Sequence, residues 1–420
     1  MATMSTNRLS GAAFEQRVRF ICLLASRLHQ YGTAAQRLEI AVDNVAQRVG
    51  LQAVIWSNPT GILLSFADAA DGEDALPRVT QIVRLDPGDN DLRRLSIVDS
   101  IAEGVTNGSI DLAEGYRQLR RLAPDRRRKR GELLYALAHG VAAGTVALLL
   151  KSGWNEAGAA AAIGAVVGLL GFALRARPQL KPGFEAIAGV VAAVLAALVN
   201  EFVLPIATAP VVLSSVIVLL PGLSLTTAVN ELANQHLVSG TSRFAGAMAS
   251  LLKLGFGTAA GIHVARLFGY DALPAVPVPV PLWAEWLALA IGSFNFAVLF
   301  RCAARDYPLA MASVWLGYLT TRFAGSQFGG EFGVFFAALV VGTFANIYAR
   351  WRNRPGALVR VPGIILLVPG SVGFRSFSFV FARDVYLGLD TAFTLVALLI
   401  SLVAGLLFAN VLITPRRTLS

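Results

Sequence analysis

The sequence has little charge and little cysteine, and each shortage excludes a class of protein. Only 15% of its 420 residues are charged, 55% are hydrophobic, and the mean hydropathy is +0.61. A soluble globular domain carries about 25% charged residues, so this chain needs lipid around much of its surface. Cys22 and Cys302 lie in unrelated regions and provide neither a metal-ligand spacing nor a disulfide framework.

Motifs of several enzyme and pump classes are also missing. The chain has no Walker loop, which argues against ATP-driven transport by this chain alone. It has no zinc-type histidine cluster and no nucleophile elbow, so we predict no metal, cofactor or catalytic residue, and a membrane-embedded hydrolase is disfavoured. The short apolar run at 20–25 between Arg19 and Arg27 is not a cleavable signal peptide, which predicts an N-terminus that stays inside.

The positive charge does not indicate nucleic-acid binding. A net charge of +10 and a pI near 10.1 fit a nucleic-acid partner, but the basic residues stand at the ends of apolar segments. The cluster at 126–130 and the series Arg350, Arg352 and Arg354 are examples. Because cytoplasmic membrane loops have this pattern, we predict no nucleic-acid partner.

Residues 14–130 differ from the rest of the chain, with frequent charges and soluble-protein periodicities. We predict a small soluble α+β domain in the cytoplasm, behind a disordered tail at residues 1–13. The run 58–61, Asn-Pro-Thr-Gly, predicts the turn of a β-hairpin, and the run 107–109, Asn-Gly-Ser, predicts a helix stop followed by a helix cap. The predicted order is ααβββαα, with helices near 18–28 and 34–49, strands at 53–56, 62–66 and 79–85, and helices at 89–105 and 110–122.

Beyond Gly131 the chain reads as a polytopic α-helical membrane protein. Crossing a hydrocarbon core of about 30 Å takes about 20 helical residues, and ten apolar segments approach that length. A proline-rich connector at 271–282 separates five spans in residues 131–270 from five in residues 283–414. The predicted spans lie near 133–150, 157–174, 184–203, 210–232, 244–268, 282–300, 308–323, 331–349, 361–382 and 391–413.

Basic residues accumulate on alternate connections, as expected if the spans alternate in direction. With the N-terminal domain inside, ten spans place both termini in the cytoplasm of a bacterial cell, with the spans in its inner membrane. The inside connections carry residues 126–130, Arg175, Arg177, Lys181, Arg243, Arg301, Arg305, Arg350, Arg352, Arg354, Arg360, Arg416 and Arg417. The outside connections carry Lys151, Arg266, Arg322 and Arg383 near their edges.

An internal repeat relates the two groups of five spans. The runs 218–222 and 366–370 both end in Pro-Gly and fall in the fourth span of each half. In the preceding span, Gly183, Glu185 and Asn200 match Gly329, Glu331 and Asn346 at one constant separation. Because five is an odd number, the second half enters from the opposite side, which predicts a 5+5 inverted repeat. Inverted repeats are typical of secondary transporters.

The two Pro-Gly pairs are the best candidates for a transport site. Each proline removes a backbone hydrogen bond within a span, and unwound backbone at membrane depth is tolerated where protein or a water-filled cavity satisfies it. A packing kink is the alternative, and the matching copies favour a site. The predicted substrate-binding residues are Pro221, Gly222, Thr226, Asn230, Glu231, Asn234, Pro369, Gly370 and Ser371.

Polar residues within or beside the spans are candidates for coupling or gating, since an ionisable group in hydrocarbon costs at least about 2.5–3.5 kcal/mol. Other interpretations stay open: Glu231 and Asn234 solvated at the cytoplasmic end of their span, snorkelling of Lys253, and packing of His263. Glu185 and Glu331 also fit an interfacial position. The predicted coupling or gating residues are Glu185, Asn200, Lys253, His263, Glu331 and Asn346.

The sequence resembles the threonine/serine exporters over residues 14–413. The resemblance rests on the runs 36–39, 45–50, 58–62 and 92–95 in the soluble part, and on 219–222, 230–232, 237–243, 360–364 and 367–371 in the spans. It implies a soluble domain before ten spans, and efflux of threonine and serine driven by the membrane's ion gradient, with protons as the expected coupling ion. Homo-oligomers are compatible with the resemblance. A dicarboxylate exporter for succinate-like substrates and a membrane-anchored sensor of a cytoplasmic ligand are the alternatives.

Overall fold

The computed structural model describes residues 14–72, 76–122, 129–174, 177–270, 278 and 280–415. We refer to residues 14–122 as the N-terminal region and to residues 129–415 as the helix bundle. Several predicted features lie outside the described residues, namely the tail 1–13, the basic residues 126–128, Arg175, Arg416 and Arg417, and the connector prolines Pro274, Pro277 and Pro279.

The N-terminal region has the predicted order ααβββαα, and its antiparallel sheet has the strand order β1-β2-β3. The hairpin turns where predicted: Asn58 pairs with Gly61, and the Asn58 side chain accepts a 3.0 Å hydrogen bond from the Thr60 amide. The elements are α1 Phe14–Gln30, α2 Ala35–Arg48, β1 Leu51–Asn58, β2 Gly61–Asp68, β3 Val79–Arg84, α3 Leu92–Thr106 and α4 Leu112–Arg121.

Both helices after the sheet begin later than predicted, because aspartates cap them. α3 begins at Leu92 instead of residue 89, and the Asp91 carboxylate accepts a 2.9 Å hydrogen bond from the first turn of the helix. α4 begins at Leu112 instead of residue 110, with Asp111 as its cap. The prediction of Ser109 as cap was wrong, since the carboxylate two residues further on supplies the acceptor that the free helical amides need.

The helix bundle has a helix, continuous or broken, at each of the ten predicted apolar segments. By length and apolarity, six of the described helices can cross a membrane, or seven if one bent pair counts as a single span. The protein is therefore a polytopic membrane protein. The bundle helices are α5 Lys129–Leu149, α6 Trp154–Leu174, α7 Phe184–Phe202, α8 Thr208–Ser215, α9 Gly222–Ala233, α10 Leu237–Leu267, α11 Leu282–Leu299, α12 Tyr307–Phe328, α13 Gly330–Arg352, α14 Ala357–Ile364, α15 Gly370–Phe381 and α16 Val385–Leu412.

Both predicted Pro-Gly interruptions are present. An 8-residue helix, α8 or α14, precedes each break, and a 12-residue helix, α9 or α15, follows it. The backbone angles at the two prolines agree closely, with φ −80° and ψ 38° at Pro221 and φ −83° and ψ 38° at Pro369. α8 and the segment Ile217–Ala233 are bent by 49° relative to each other. Proline cannot donate to the preceding turn, so each 12-residue helix starts afresh at the following glycine.

Corresponding helices of the two halves have corresponding neighbours. α7 packs on α10 in the first half, as α13 packs on α16 in the second. Gly257 contacts the Ala186 carbonyl in the first pair, and Gly405 contacts the Phe335 carbonyl in the second. A Cβ at either glycine would overlap that oxygen, so both pairs approach at a distance that only glycine permits.

The N-terminal region lies against one end of the bundle, and the two share a hydrophobic core. One buried cluster includes Leu38 and Val98 of the N-terminal region together with Phe296, Ala345 and Tyr348 of the bundle. The region thus docks on the membrane helices through a packed interface. Side-chain contacts across this interface are Asp86 with Lys181 at 3.6 Å, Asp91 with Arg301 at 3.9 Å, Ser96 with Arg354 at 3.1 Å and Gln36 with Asn234 at 3.1 Å.

Candidate functional site

A cavity of about 660 Å³ lies beside the two Pro-Gly breaks. Pro221, Gly222, Gly370 and Ser371 all line it. The helices α9 and α15 both begin there. The first amides of a helix have no intrahelical partner, and the helix dipole adds about half a positive charge at this end. Two such ends on one cavity make it suited to an anionic group.

The two breaks contact each other directly. A Cβ placed on Gly370 would be 3.1 Å from the Gly222 Cα, and a Cβ on Gly222 would be 3.2 Å from the Gly370 Cα and would overlap the Val368 side chain. Only glycine allows the two helix starts to lie so close. The sequence therefore brings both amide-rich ends together through two residues that have no side chain.

A partly exposed ion pair lies beside this cavity. Glu185, at the start of α7, lines the cavity and pairs with Lys253 of α10, with 3.0 Å between Oε2 and Nζ. Ser250 donates a weak 3.4 Å hydrogen bond to the other carboxylate oxygen, and Lys253 also donates to the Pro182 carbonyl at 3.2 Å. The structure thus joins two residues that were predicted separately for coupling.

Another part of the wall comes from the N-terminal region and the end of α11. Asp89 and Asn90 line the cavity together with Tyr135, Arg301 and Tyr318. The Arg301 guanidinium stands 5.0 Å from the centroid of the Tyr135 ring. The hydroxyl groups of Ser224, Ser250 and Ser371 add hydrogen-bonding groups. The cavity can therefore present amides, hydroxyls and charges of both signs to a small polar molecule.

Comparison with known protein families shows to which family the chain belongs. Residues 19–265 match the ThrE family model, described as a threonine/serine exporter, and residues 285–412 match a second model, "Threonine/Serine exporter, ThrE". The chain belongs to the threonine/serine exporter family. The two matches together extend from α1 of the N-terminal region to the end of α16.

Individual relatives of this family member occur in a bacterium and in fungi. The "Probable threonine/serine exporter" of Mycobacterium tuberculosis is 23% identical over 427 residues, which cover 98% of this chain and 80% of that protein. "Pheromone-regulated membrane protein 10" of Eremothecium gossypii is 26% identical and that of Debaryomyces hansenii is 25% identical, each over 86% of this chain. The chain spans only 49% and 36% of the length of these two fungal proteins. No solved structure matches the chain.

In this exporter-family chain, Glu231 lies away from the cavity, at the far end of α9. It is completely buried, and both of its oxygens pair with Arg243 at 3.1 Å. Ser239 donates to one oxygen at 2.8 Å, and the Ala35 amide of the N-terminal region donates to the other at 3.0 Å. Glu231 is thus at the predicted end of its span beside Arg243, but buried and not solvated.

Two amides next to Glu231 belong to the same interface. The Asn234 side chain donates to the Asn230 carbonyl at 2.7 Å and accepts from Gln36 of α2 at 3.1 Å. The second contact fixes the end of α9 against the N-terminal region, and the first orients the Asn234 side chain. The structure therefore groups Asn230, Glu231 and Asn234 with each other, and not with the Pro-Gly cavity.

Asn346 holds the end of the last helix. Its Nδ2 donates to the Ile413 carbonyl at 2.8 Å and to the Asn410 side chain at 3.0 Å, and its Oδ1 accepts from Arg360 at 3.0 Å. The side chain is 1% exposed. Both the donor and the acceptor group of this amide are therefore used to join α13, α14 and α16.

The remaining predicted residues are dispersed. The Thr226 hydroxyl is buried on α9 without a hydrogen-bond partner in the described part of the chain. Asn200 accepts a 3.0 Å hydrogen bond from the Ile206 amide, which closes the turn after α7. His263 and Glu331 are exposed on the bundle surface. None of these four lines the cavity.

Several cavity residues escaped the sequence analysis. Arg301 was interpreted only as a loop charge, and residue 89 was assigned to a helix. The sequence did contain a signal that could have pointed to Asp89, because three aspartates occur within residues 86–91, directly before a helix. Arg375 was also overlooked; it lies on α15 beside a second cavity of about 450 Å³, with its guanidinium 5.9 Å from the Phe379 ring centroid.

Proposed function

We propose that the protein is a secondary active exporter of small amino acids, chiefly threonine and serine, and that it binds them in the cavity beside the two Pro-Gly breaks. The observation that carries this proposal is the meeting of Gly222 and Gly370, which puts two helix N-termini on one cavity in a member of this family. Interrupted helices at corresponding positions of two halves are a recurrent construction of substrate sites in secondary transporters.

The proposed topology is ten crossings arranged as a 5+5 inverted repeat. It is supported by the bundle residues that contact the N-terminal region, which follow every second predicted crossing. In the first half these are Lys181 after α6 and Asn234 after α9, and in the second half Arg301 after α11 and Arg354 after α13. α9 then runs toward the N-terminal region and α15 runs away from it, so their N-termini meet from opposite directions.

The side that holds the N-terminal region is proposed to be the cytoplasm of a bacterial cell. The proposed division is residues 14–130 in the cytoplasm, 131–270 and 283–414 in the inner membrane, and 271–282 as the outer connector. The contacts of Lys181, Arg301 and Arg354 with this region agree with the positive-inside tendency of membrane proteins.

Reporter fusions test this topology. A reporter inserted within 271–282 is expected to face the periplasm, whereas one inserted after residue 303 is expected to face the cytoplasm. A cytoplasmic signal from the first position would contradict the inverted repeat, and with it the meeting of the two breaks from opposite directions.

The cavity is suited to a hydroxy amino acid. The amides of the first turns of α9 and α15, except that of Gly370, which donates to the Val368 carbonyl at 2.9 Å, favour the carboxylate. Ser224 and Ser371 offer partners for a side-chain hydroxyl. A volume of about 660 Å³ is within the usual range for small-molecule sites and leaves room for water around threonine. The pair of Glu185 with Lys253, at the edge of the same cavity, is the proposed point of proton coupling.

Flux in proteoliposomes tests the function. We expect radiolabelled threonine and serine to leave vesicles faster when a proton gradient is imposed, with succinate as the comparison substrate. Succinate flux without amino-acid flux would contradict the proposed substrate, and absence of all three fluxes would contradict transport. The gradient-free condition separates the coupling proposal from the substrate proposal.

A further inference from the structure

The loop between β3 and α3 brings the N-terminal region into the wall of the cavity. Gly88, Asp89 and Asn90 of this loop all line it, together with residues at the helix starts of the bundle. The start of α3, which follows this loop, is hydrogen-bonded to the residues just after α11. The Leu92 amide donates to the Phe300 carbonyl at 3.1 Å, and the Arg93 amide donates to the Arg301 carbonyl at 3.2 Å.

The loop is held firmly on its other side as well. The Asp89 amide donates to the Gln30 carbonyl at 3.2 Å. Gly32 has φ +85°, and a Cβ there would be 2.7 Å from the Asn90 Oδ1, while a Cβ at Gly88 would overlap the His29 carbonyl. Residues without side chains therefore fit the loop tightly against the turn between α1 and α2, and this fit fixes the position of Asp89.

The charged side chains along the cavity differ in whether they already have an ion-pair partner. Glu185 is already neutralised by Lys253 at 3.0 Å. Arg301 lies 3.9 Å from Asp91, which also caps α3. Asp89, in contrast, is exposed and forms no ion pair with any residue in the described part of the chain. It is the carboxylate on this wall that is available for a positive charge.

We propose that Asp89 receives the ammonium group of the transported amino acid, so that the N-terminal region supplies part of the substrate site. This inference rests on the proposed function. A zwitterion then has its carboxylate at the starts of α9 and α15 and its ammonium at the loop, all of which line the same cavity. An ammonium group has three N–H donors, and the hydrogen bonds that it donates to a carboxylate are charge-assisted and stronger than neutral ones.

Asp89 also explains how the site selects amino acids over other small acids. A molecule with the carboxylate and hydroxyl of threonine but no ammonium leaves Asp89 without a partner. A hydrogen bond to a charged group changes affinity by about tenfold to hundredfold, and discrimination of this size is expected between threonine and 3-hydroxybutyrate.

The test measures binding of threonine and of 3-hydroxybutyrate to the purified full-length chain, together with threonine flux in proteoliposomes. Asp89→Asn keeps the shape and removes the charge, and Asp89→Glu keeps the charge. Asp86→Asn is the matched control, because Asp86 is exposed on the same loop and does not line the cavity. The thermal midpoint of each variant reports folding.

We expect Asp89→Asn to weaken threonine binding about tenfold to hundredfold and to leave 3-hydroxybutyrate binding unchanged. Asp89→Glu should restore part of the threonine affinity, and Asp86→Asn should resemble the wild type. Equal weakening of both ligands, or wild-type threonine binding by Asp89→Asn, would overturn the role of Asp89 while leaving the exporter intact. Failure of the wild type to bind or move threonine would instead overturn the proposed function.

Discussion

Gly222 and Gly370 meet backbone to backbone, so that a Cβ on Gly370 would be 3.1 Å from the Gly222 Cα. Each residue starts a 12-residue helix after a proline with nearly the same backbone angles. The contact joins positions 148 apart in the chain, as the difference between 370 and 222 shows. It defines the centre of the proposed site with two residues that contribute only backbone.

Replacing either glycine by alanine is expected to separate the two helix starts. In Gly222→Ala the new methyl group overlaps Val368, and overpacking of this kind lowers the free energy of unfolding by about 1–3 kcal/mol. Threonine flux in proteoliposomes should fall at least about tenfold, the effect of 1.4 kcal/mol on a binding or rate constant. Gly246→Ala is the control, because nothing lies within 4 Å of a Cβ there. Equal fluxes for Gly222→Ala and Gly246→Ala would show that the contact is not required.

Glu231→Gln is expected to lower efflux without preventing membrane insertion. The change leaves Arg243, whose side chain is 20% exposed, without its carboxylate partner. Breaking a buried ion pair costs about 3–5 kcal/mol, and the partial exposure of Arg243 reduces this value. The thermal midpoint should therefore drop, together with protection of the α2 amides from hydrogen exchange. Glu201→Gln, at an exposed position, supplies the comparison. Unchanged stability and transport would show that Glu231 is required neither for stability nor for efflux.

Lys253→Met is expected to disturb the dependence of transport on the proton gradient. The variant leaves the Glu185 carboxylate beside the cavity without its 3.0 Å ion-pair partner, and this pair is the proposed point of coupling. Glu185→Gln should abolish gradient-driven efflux and retain exchange of threonine for threonine. Lys151→Met, at an exposed position, is the control. Gradient-driven efflux by Glu185→Gln at the wild-type rate would exclude this pair from coupling.

His29 is expected to make the N-terminal region less stable at acidic pH. Burial lowers the pKa of its imidazole below the ordinary value of 6.5, and the side chain is only 5% exposed. Below pH 6.5 the unfolded chain therefore binds a proton that the folded chain does not, and stability falls as the pH decreases. Above this pH both states are neutral and the effect is absent.

Hydrogen exchange of α1 amides between pH 8 and pH 5, corrected for intrinsic exchange, measures this effect. The wild type should lose protection below pH 6.5, by at most about 1.4 kcal/mol per pH unit for one proton. His29→Gln should show a shallower dependence, and His263→Gln, at an exposed position, should follow the wild type. Identical slopes for wild type and His29→Gln would assign the pH dependence to other groups.

Local patterns in the sequence predicted most elements of the fold. Apolar segment length located the bundle helices, the run 58–61 located the hairpin turn, and the prolines at 221 and 369 located the two breaks. Each of these features depends on a few adjacent residues, such as a missing backbone donor or a residue that permits a turn. The helix starts at Leu92 and Leu112 were displaced by capping aspartates that compete with nearby turn residues, and α10 and α16 begin at Leu237 and Val385, before the predicted residues 244 and 391.

The composition of the cavity wall could be predicted only in part. Pro221, Gly222 and Gly370 were found because their signal is local. Asp89 and Arg301 were not, since they meet only after residues of the N-terminal region dock on the end of the bundle, more than 200 positions away in the chain. No periodicity within one segment encodes such docking. For the same reason Glu231 was assigned to the site, although its partners are in α10 and α2.

The joint between Leu92 and Phe300 is made by main-chain atoms, and so is the one between Arg93 and Arg301. Because these hydrogen bonds involve only main-chain atoms, substitution of the side chains does not remove them. A movement of α11 is therefore transmitted to the N-terminal region, including its sheet, through these two hydrogen bonds. A fluorophore on the outer strand surface near Trp56, which is 48% exposed, would thus register membrane-helix motion from the aqueous phase.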